Sequence, residues 1–451
     1  MNHDIRIKLP EKVQYIIRTI SEAGFEAYVV GGCVRDSVLG KKPEDWDITT
    51  SARPEQVKAL FTRTIDTGLQ HGTVTVMVGR EGFEVTTYRF DGEYEDARHP
   101  KHVTFTSNLK EDLKRRDLTM NAMAYNDDAG LVDNFGGLED MEAGVVRCVG
   151  DAKERFGEDA LRILRAIRFS AQTGYHIEEK TLEAVSQLAH TLERISAERV
   201  RAELVKLVTS PHPDFLRIAY DCGVTKVILP EFDRAMETEQ NHPHHCYSVG
   251  GHILHSMCCV EADKTLRLVM LLHDIGKPQV LEVDGKGVTH FHGHAEVSAG
   301  MAEDILRRLK FDNDTIHMVC RLVRYHDYGN SLEPDMRMAR RAMNKIGEDA
   351  FPAFFAVKRA DILAQSLFLR REKLERLDKW QSLYREILDM GQCVSLKTLA
   401  VSGKDLIAAG WEPGRELGRA LGKLLELVME DPEYNTKDKL LAEAERLRKE
   451  A

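Results

Sequence analysis

The chain has 451 residues, 43% hydrophobic and 30% charged, with a formal net charge of −10. That length calls for two to four domains of ordinary globular composition. No run of eighteen apolar residues occurs and the start, MNHDIRIKLPEKVQ, lacks a signal-peptide core, so neither a membrane span nor secretion is expected. Eight cysteines without a CxxC pair fit reduced thiols in the cytoplasm. The acidic balance does not decide on nucleic acid, because phosphate contacts depend on where Lys and Arg cluster.

In chain order, Val13, Ile16, Ile17 and Ile20 predict an amphipathic helix over 11–24, stopped by Gly24. Ala27 to Val30 reads as a buried strand meeting a tight Gly31-Gly32 turn, with a short helix from Val34 to Leu39 behind it. Trp46 to Thr50 reads as a second strand. Thr73 to Val78 and Phe83 to Tyr88 alternate as strands joined by a Gly79-Arg80-Glu81-Gly82 turn. From about residue 150 the pattern is helical: 158–172, 178–190, 196–209, 213–222, 297–309 and most of 314–390. Strands first and helices afterwards predict an α+β protein. We divide it into a small mixed-sheet head (1–145), an all-α neck (146–210), a helical body (211–390) and a helical tail (391–451).

The first cluster of chemistry lies in the head. Two adjacent glycines let backbone approach a ligand, and the helix start behind them presents N–H groups and partial positive charge to an anion. Arg35, one turn in, can join as a fork donor. A plain turn with a surface arginine is the rival reading. Asp45-Trp46-Asp47 follows. On a strand, residues i and i+2 face the same way, and two such carboxylates repel unless a cation sits between them. Mg²⁺ prefers oxygen ligands shared with substrate phosphates. With a triphosphate on the glycine turn, two such ions could activate an attacking hydroxyl and stabilise leaving pyrophosphate. A lone DxD is more often a solvated loop; one that follows a strand–GG–helix turn is harder to dismiss. Further on, Asp159, Arg162 and Arg165 recur every third residue opposite Leu161, Leu164 and Ile167. They form either a salt-bridged helix face or an acceptor–donor edge able to meet the Watson–Crick edge of C or A.

Gly31-Gly32-Cys33-Val34-Arg35-Asp36 followed by Asp45-Trp46-Asp47-Ile48-Thr49 resembles the head motif of the class II tRNA nucleotidyltransferases. That family comprises CCA-adding enzymes and bacterial poly(A) polymerases, within the DNA polymerase β-like superfamily. The resemblance continues through Phe83 to Arg89, through a loop from Asp91 to Pro100, and through Arg115-Arg116-Asp117-Leu118-Thr119-Met120-Asn121-Ala122. Asp133-Asn134-Phe135-Gly136-Gly137 is similar to the family's hinge-like motif. The resemblance implies Mg²⁺ at Asp45 and Asp47, with Glu84 as a third carboxylate. It implies that Gly32, Arg35, Arg115 and Arg116 hold the triphosphate. It makes Asp159 and Arg162 base readers supported by Arg165 and Arg168, with Ser196 to Glu203 bracing the neck. Val401-Ser402-Gly403-Lys404-Asp405-Leu406 resembles the start of a tail that grips tRNA. The implied reaction grows a tRNA 3′ end from CTP and ATP, with no DNA partner and no membrane. A poly(A) polymerase, an A-adding or a CC-adding enzyme would keep nearly all these motifs; the Asp91 to Pro100 loop and the Gly403-Lys404-Asp405 tail favour CCA addition.

Residues 242 to 327 hold eleven of the eighteen histidines. His273-Asp274-Ile275-Gly276-Lys277-Pro278 follows an apolar helix, and the pattern H…HD…H…H…D resembles the HD phosphohydrolases. This resemblance implies His252, His273, Asp274 and Asp361 as ligands of a divalent transition metal or Mg²⁺, with His294 and His326 as candidates for a second ion or a phosphate. Such a site could hydrolyse phosphoesters such as 2′,3′-cyclic ends. A structural fold with a weak metal site is the plain alternative. A rival of another class is an HD phosphohydrolase whose head senses nucleotides, although pure binding needs no paired aspartates.

Overall fold

The computed structural model describes residues 5–91, 103–330 and 333–450. The chain divides into two compact units, Met1–Pro230 and Glu231–Ala451. In the first, α1 (Glu11–Glu22) buries Val13, Ile16, Ile17 and Ile20 on one stripe. β1 (Ala27–Val30) leads through Gly31 into α2 (Gly32–Val38). There follow β2 (Ile48–Thr50), α3 (Pro54–Leu60), β3 (Thr64–Gly68), β4 (Thr73–Val78) and β5 (Glu81–Thr87). A ribbon of β6 (Arg89–Asp91) and β7 (Val103–Phe105) precedes α4 (Leu109–Lys114), β8 (Met123–Asn126) and β9 (Gly130–Asp133). The loop read from Asp91 to Pro100 lies, past Asp91, outside the described residues.

Seven strands form one mixed sheet in the order β3-β4-β5-β2-β1-β8-β9. β2 and β5 are its parallel pair, with Ile48 opposite Val85. Both residues are buried, while Asp47 and Glu84, one step earlier on each strand, are exposed. Alternation therefore sends the two carboxylates to the same, solvent-facing side.

The structure corrects several expectations. β2 begins at Ile48, so Asp45 to Asp47 is extended chain entering the strand, although the Asp47 carbonyl already accepts the Val30 N–H. Val78 pairs with Glu81, which tightens the hairpin turn to Gly79-Arg80. β8 carried no period-two signal because all four of its residues are buried, as expected of a strand covered on both faces. The helix expected over 158–172 forms, running from Leu161 to Thr173. α5 (Gly137–Ala143) and α6 (Ala152–Glu158) precede α7 (Leu161–Thr173), and Asp159 at φ −140° breaks the chain between α6 and α7. α8 (Glu179–Leu188) and α9 (Ala197–Val208) complete the neck.

The second unit is helical, with main helices at Val249–Cys258, Lys264–Leu272, His294–Arg308, Asn313–Tyr325, Met336–Ile346, Phe351–Ala364 and Arg370–Asp389. The stretch 314–390, expected to be mostly helical, is thus cut into four. Toward the C-terminus, Leu399, Val401, Leu406, Trp411, Leu424, Val428 and Leu440 share a hydrophobic cluster. No described helix is long and apolar enough to cross a membrane.

The hinge-like motif is built on Asp133. Its Oδ1 accepts the N–H of Phe135 and Gly137 at 3.2 and 3.0 Å, and its Oδ2 accepts that of Leu138 at 2.8 Å. A Cβ on Gly137 would lie 2.3 Å from the Thr119 carbonyl oxygen, which is backbone and cannot swing away. Gly137→Ala is expected to destabilise the head by about 1–3 kcal/mol, the usual cost of overpacking. A fall in the urea midpoint followed by circular dichroism checks this; an unchanged midpoint would show that the turn is loose.

Candidate functional site

Gly31, at φ +79°, turns the chain from β1 into α2. A Cβ there would meet the Arg116 guanidinium at 3.0 Å, so the bare glycine lets Arg116 lie against the turn. Arg35 donates from Nη1 to Asn121 Oδ1 at 2.7 Å and from Nε to Asp36 Oδ1 at 2.9 Å, and its guanidinium lies 4.8 Å from the Phe169 ring centre. Arg115 and Arg116 share the buried Asp112, at 2.9 and 3.6 Å. Burial works against the Asp112 charge, but the two guanidinium groups outweigh it and hold the carboxyl below its ordinary range. Of the residues expected to hold a triphosphate, Gly32, Arg35 and Arg116 are thus gathered around one turn, and Arg115 shares Asp112 with Arg116.

Asp45, Asp47 and Glu84 line one cleft of about 760 Å³, together with Trp46, Thr75 and Lys42. Loss of water around the Asp47 carboxylate raises its pKa; Arg116 opposes the rise and the Asp45 charge adds to it. A carboxylate strained in this way toward protonation gains from a cation, so these residues fit a divalent ion. The three acids are not drawn into one tight knot: among the described residues, the triads whose ligand atoms lie within 4.8 Å of one another are in the body.

The neck meets the head through Asp117, which is buried. Its Oδ1 accepts from the Leu118 N–H at 2.9 Å and from Asn121 Nδ2 at 3.2 Å, and its Oδ2 accepts from Arg165 Nε at 2.6 Å. Asp159 and Arg162 are not partners as their spacing suggested. Asp159 Oδ1 caps the Leu161 N–H at 3.0 Å and its Oδ2 accepts from Arg199 Nη2 at 2.7 Å. Arg162 turns to Glu158 Oε2 and the Arg115 carbonyl, at 2.7 and 3.0 Å. Asp159 is thus braced by Arg199, a residue of the motif from Ser196 to Glu203. Arg168 is buried against Glu203 at 2.5 Å and lies 3.7 Å over Phe169, which makes it a positioning residue of the neck. Sequence reasoning missed the parts played by Asp112, Asn121 and Arg199. Asn121 and Arg199 stand inside quoted motifs, but only packing reveals what they touch.

In the body, six expected residues converge. His252 Nε2 lies 3.1 Å from His273 Nε2 and 2.9 Å from Asp361 Oδ1. Asp274 lies between two groups: its Oδ2 is 3.5 and 3.4 Å from His252 and His273, and its Oδ1 is 3.3 and 3.6 Å from His294 and His326. The Nδ1 atoms of His273, His294 and His326 face the carbonyls of Met270, Phe291 and Val323 at 2.7–2.9 Å. Those contacts fix the rings with Nε2 turned inward, the usual outer support of a metal-binding imidazole. Burial pushes the His273 pKa down to about 3, so the ring is neutral and able to ligate. Both Asp274 oxygens are buried, one turned to each pair of imidazoles, as a carboxylate able to bridge two ions would be. Lys277, 2.7 Å from Asp274 Oδ2, completes the cluster.

A mixed-sheet head carrying paired carboxylates beside a glycine turn, joined to a helical neck, defines a nucleotidyltransferase. The family model "Poly A polymerase head domain" matches residues 27–147, and "tRNA nucleotidyltransferase domain 2" matches residues 286–444. The CCA-adding enzyme of Lactobacillus helveticus is 36% identical over 435 residues, which is 96% of each chain. That of Leuconostoc mesenteroides is 54% identical over 204 residues, 45% of this chain and 51% of the relative. The crystal structure of the Bacillus stearothermophilus CCA-adding enzyme in complex with CTP is similar with a TM-score of 0.72 and 28% identity, covering 98% of this chain and 99% of the other. The chain belongs to the CCA-adding enzyme family of class II nucleotidyltransferases.

Asp117 couples stability to pH. Burial opposes its charge, but Arg165 and Asn121 outweigh burial and depress the folded pKa below the ordinary 3.8. The stabilisation is therefore present above that ordinary value and lost as pH falls below it. Asp117→Asn should lower the urea midpoint at pH 7, with the gap to the parent narrowing at pH 3; a gap that widens in acid would refute the assignment.

Proposed function

We infer that the chain is a CCA-adding tRNA nucleotidyltransferase that uses CTP and ATP and releases pyrophosphate in the cytoplasm. The observation that carries this reading is the placement of Asp45, Asp47 and Glu84 on one cleft beside the Gly31-Gly32 turn and Arg116. The terminal ribose hydroxyl of the tRNA gives up its proton to water as its oxygen forms the new bond to the α-phosphorus, the bond from α-phosphorus to the β-bridging oxygen breaks, and pyrophosphate leaves. Asp45 and Asp47 would hold Mg²⁺, which would supply charge neutralisation and lower the pKa of the attacking hydroxyl. Arg116 and Arg35 hold the triphosphate, because their partners Asp112, Asp36 and Asn121 orient them before substrate arrives. Asp159, fixed by Arg199, presents an acceptor to the exocyclic amine that C and A share, and Arg162 supplies the donor. The tail from Val401 onward grips tRNA.

A second activity is favoured by a separate observation, the convergence of His252, His273, Asp274, His294, His326 and Asp361 in the body. We propose that this cluster is a phosphohydrolase centre of the HD type. A divalent transition ion or Mg²⁺ bound there supplies Lewis acidity toward water and phosphate. In hydrolysis, water oxygen bonds to phosphorus, the ester P–O bond breaks, and the leaving alkoxide takes up a proton. Backbone carbonyls hold three of the four imidazoles in the ligating orientation, and Lys277 offers a charge to a phosphate oxygen.

Asp47→Ala should reduce CMP and AMP incorporation into a tRNA transcript at least 10³-fold while leaving phosphoester hydrolysis intact, and His273→Ala should do the reverse. Joint loss in a folded protein would refute two separate sites. Asp159→Ala is expected to relax the choice between CTP and ATP by at least tenfold, and Arg199→Ala to reproduce part of the effect because it frees Asp159. Unchanged misincorporation in single-nucleotide assays would remove the neck from base selection.

A further inference from the structure

A second cavity of the head, about 360 Å³, adjoins the cleft of the three acids and shares Pro10, Lys42, Pro43 and Trp46 with it. Its wall carries Arg6, Lys8, Lys41 and Lys42, and no carboxylate of the described residues lines it. All four cations are exposed, and none is ion-paired with a described carboxylate. Lys12, on the cleft side, is by contrast paired with Glu81 at 2.6 Å. In a chain of net charge −10, four unpaired cations around one cavity are a local reversal of sign.

The local chain fixes where these charges stand. Ile7 and Leu9 are buried while Arg6 and Lys8 are exposed, the alternation of extended chain. Arg6 and Lys8 therefore face the same way, with Cα atoms about 6–7 Å apart. On the other segment, α2 is closed by Gly40 at φ +70°, and the Lys41 N–H bonds the Asp36 carbonyl at 2.8 Å. Lys42 precedes Pro43, which holds it extended. Trp46 stands between Asp45 and Asp47 in the chain, is half-buried, and contributes to both cavity walls. It marks the boundary between the acids and the cations.

Exposed cations beside a planar aromatic side chain match single-stranded nucleic acid, whose phosphates take the charges while a base stacks on the ring. A nucleoside triphosphate is a poorer match. It has the glycine turn with Arg35 and Arg116, and four cations spread over two chain segments suit a repeated phosphate better than a compact one.

We propose that this cavity carries the single-stranded 3′ end of the RNA as it leaves the cleft, a reading that rests on the CCA-adding function inferred above. The terminal nucleotide lies at Asp45 and Asp47, and the base before it stacks on Trp46. Lys42, which lines both cavities, takes the nearest phosphate, and Lys41, Lys8 and Arg6 take those further upstream. Phosphate contacts and stacking carry little sequence information. The same residues therefore hold the RNA equally at each of the three additions.

Binding of tRNA transcripts to the full chain in EDTA, followed by fluorescence anisotropy across a salt series, reads these contacts without nucleotide, metal or turnover. Lys8→Gln and Lys41→Gln should each weaken binding at least threefold and reduce the slope of log Kd against log salt by about 0.7. Lys8→Arg should keep the parent slope, and the weakening should be equal for transcripts ending at the discriminator base, at C and at CC. In addition assays the KM for tRNA should rise in both glutamine variants while the KM for CTP stays unchanged. Trp46→Ala should weaken an intact transcript at least threefold, Trp46→Phe should restore most of the loss, and a transcript abasic next to its terminal nucleotide should be indifferent to Trp46→Ala. An unchanged salt slope in both lysine variants overturns the proposal. So does an equal rise in the KM for CTP, which would assign the cations to the triphosphate, and so does equal weakening of the abasic transcript by Trp46→Ala. If the parent binds tRNA with this pattern but adds nothing to it, the CCA-adding reading falls and the RNA track stands; if it completes CCA and ignores both lysine changes, the track alone falls.

Discussion

One buried carboxylate ties together the parts that must act on a single nucleotide. Asp117 lies where the head passes into the neck, and it is satisfied by the Leu118 backbone, by Asn121 and by Arg165. Asn121 in turn meets Arg35, at the start of the glycine turn, and Arg35 lies over the Phe169 ring of α7. The same ring is approached by Arg165 and Arg168, at 5.4 and 3.7 Å. The groups proposed to hold phosphate and the helix proposed to choose the base are thus joined through side chains with no spare freedom. Such a network is costly to leave half-made, since an orphaned buried charge destabilises by about 3–5 kcal/mol. It therefore favours one arrangement of turn and helix, which is what a site that selects a nucleotide without reading a complementary strand requires.

Much of the head was legible because its chemistry is local. The two glycines, the arginine and the aspartates lie within seventeen residues, from Gly31 to Asp47, directly after the strand, and period-two placement of Asp45 and Asp47 follows from extended chain alone. β8 was not legible, because Met123 to Asn126 is buried on both faces and shows no alternation. The helix break at Asp159 was hidden for a different reason. Both flanking stretches are good helix formers, and the break is fixed by one local contact, the Leu161 cap, and one tertiary contact, Arg199, forty residues away.

The histidine cluster shows the complementary case. The resemblance to the HD proteins named the candidate ligands, and the structure brings together residues as far apart as His252 and Asp361. Which atoms face inward was not in the sequence. That is decided by carbonyls three residues earlier in the chain, at Met270, Phe291 and Val323, which hold the Nδ1 side of each ring.

The parallel pairing of β2 with β5 has a consequence for how the head tolerates change. Asp47 and Glu84 share a face only because Ile48 stands opposite Val85. Slipping β5 by one position would move Glu84 to the opposite face of the sheet from Asp47. The two-residue bend at Gly79-Arg80 sets how far β5 can travel along β4, so it meters the reach of Glu84 from a site it never touches. Lengthening that bend by a single residue would leave every acidic side chain in the gene and take one of them out of the cleft.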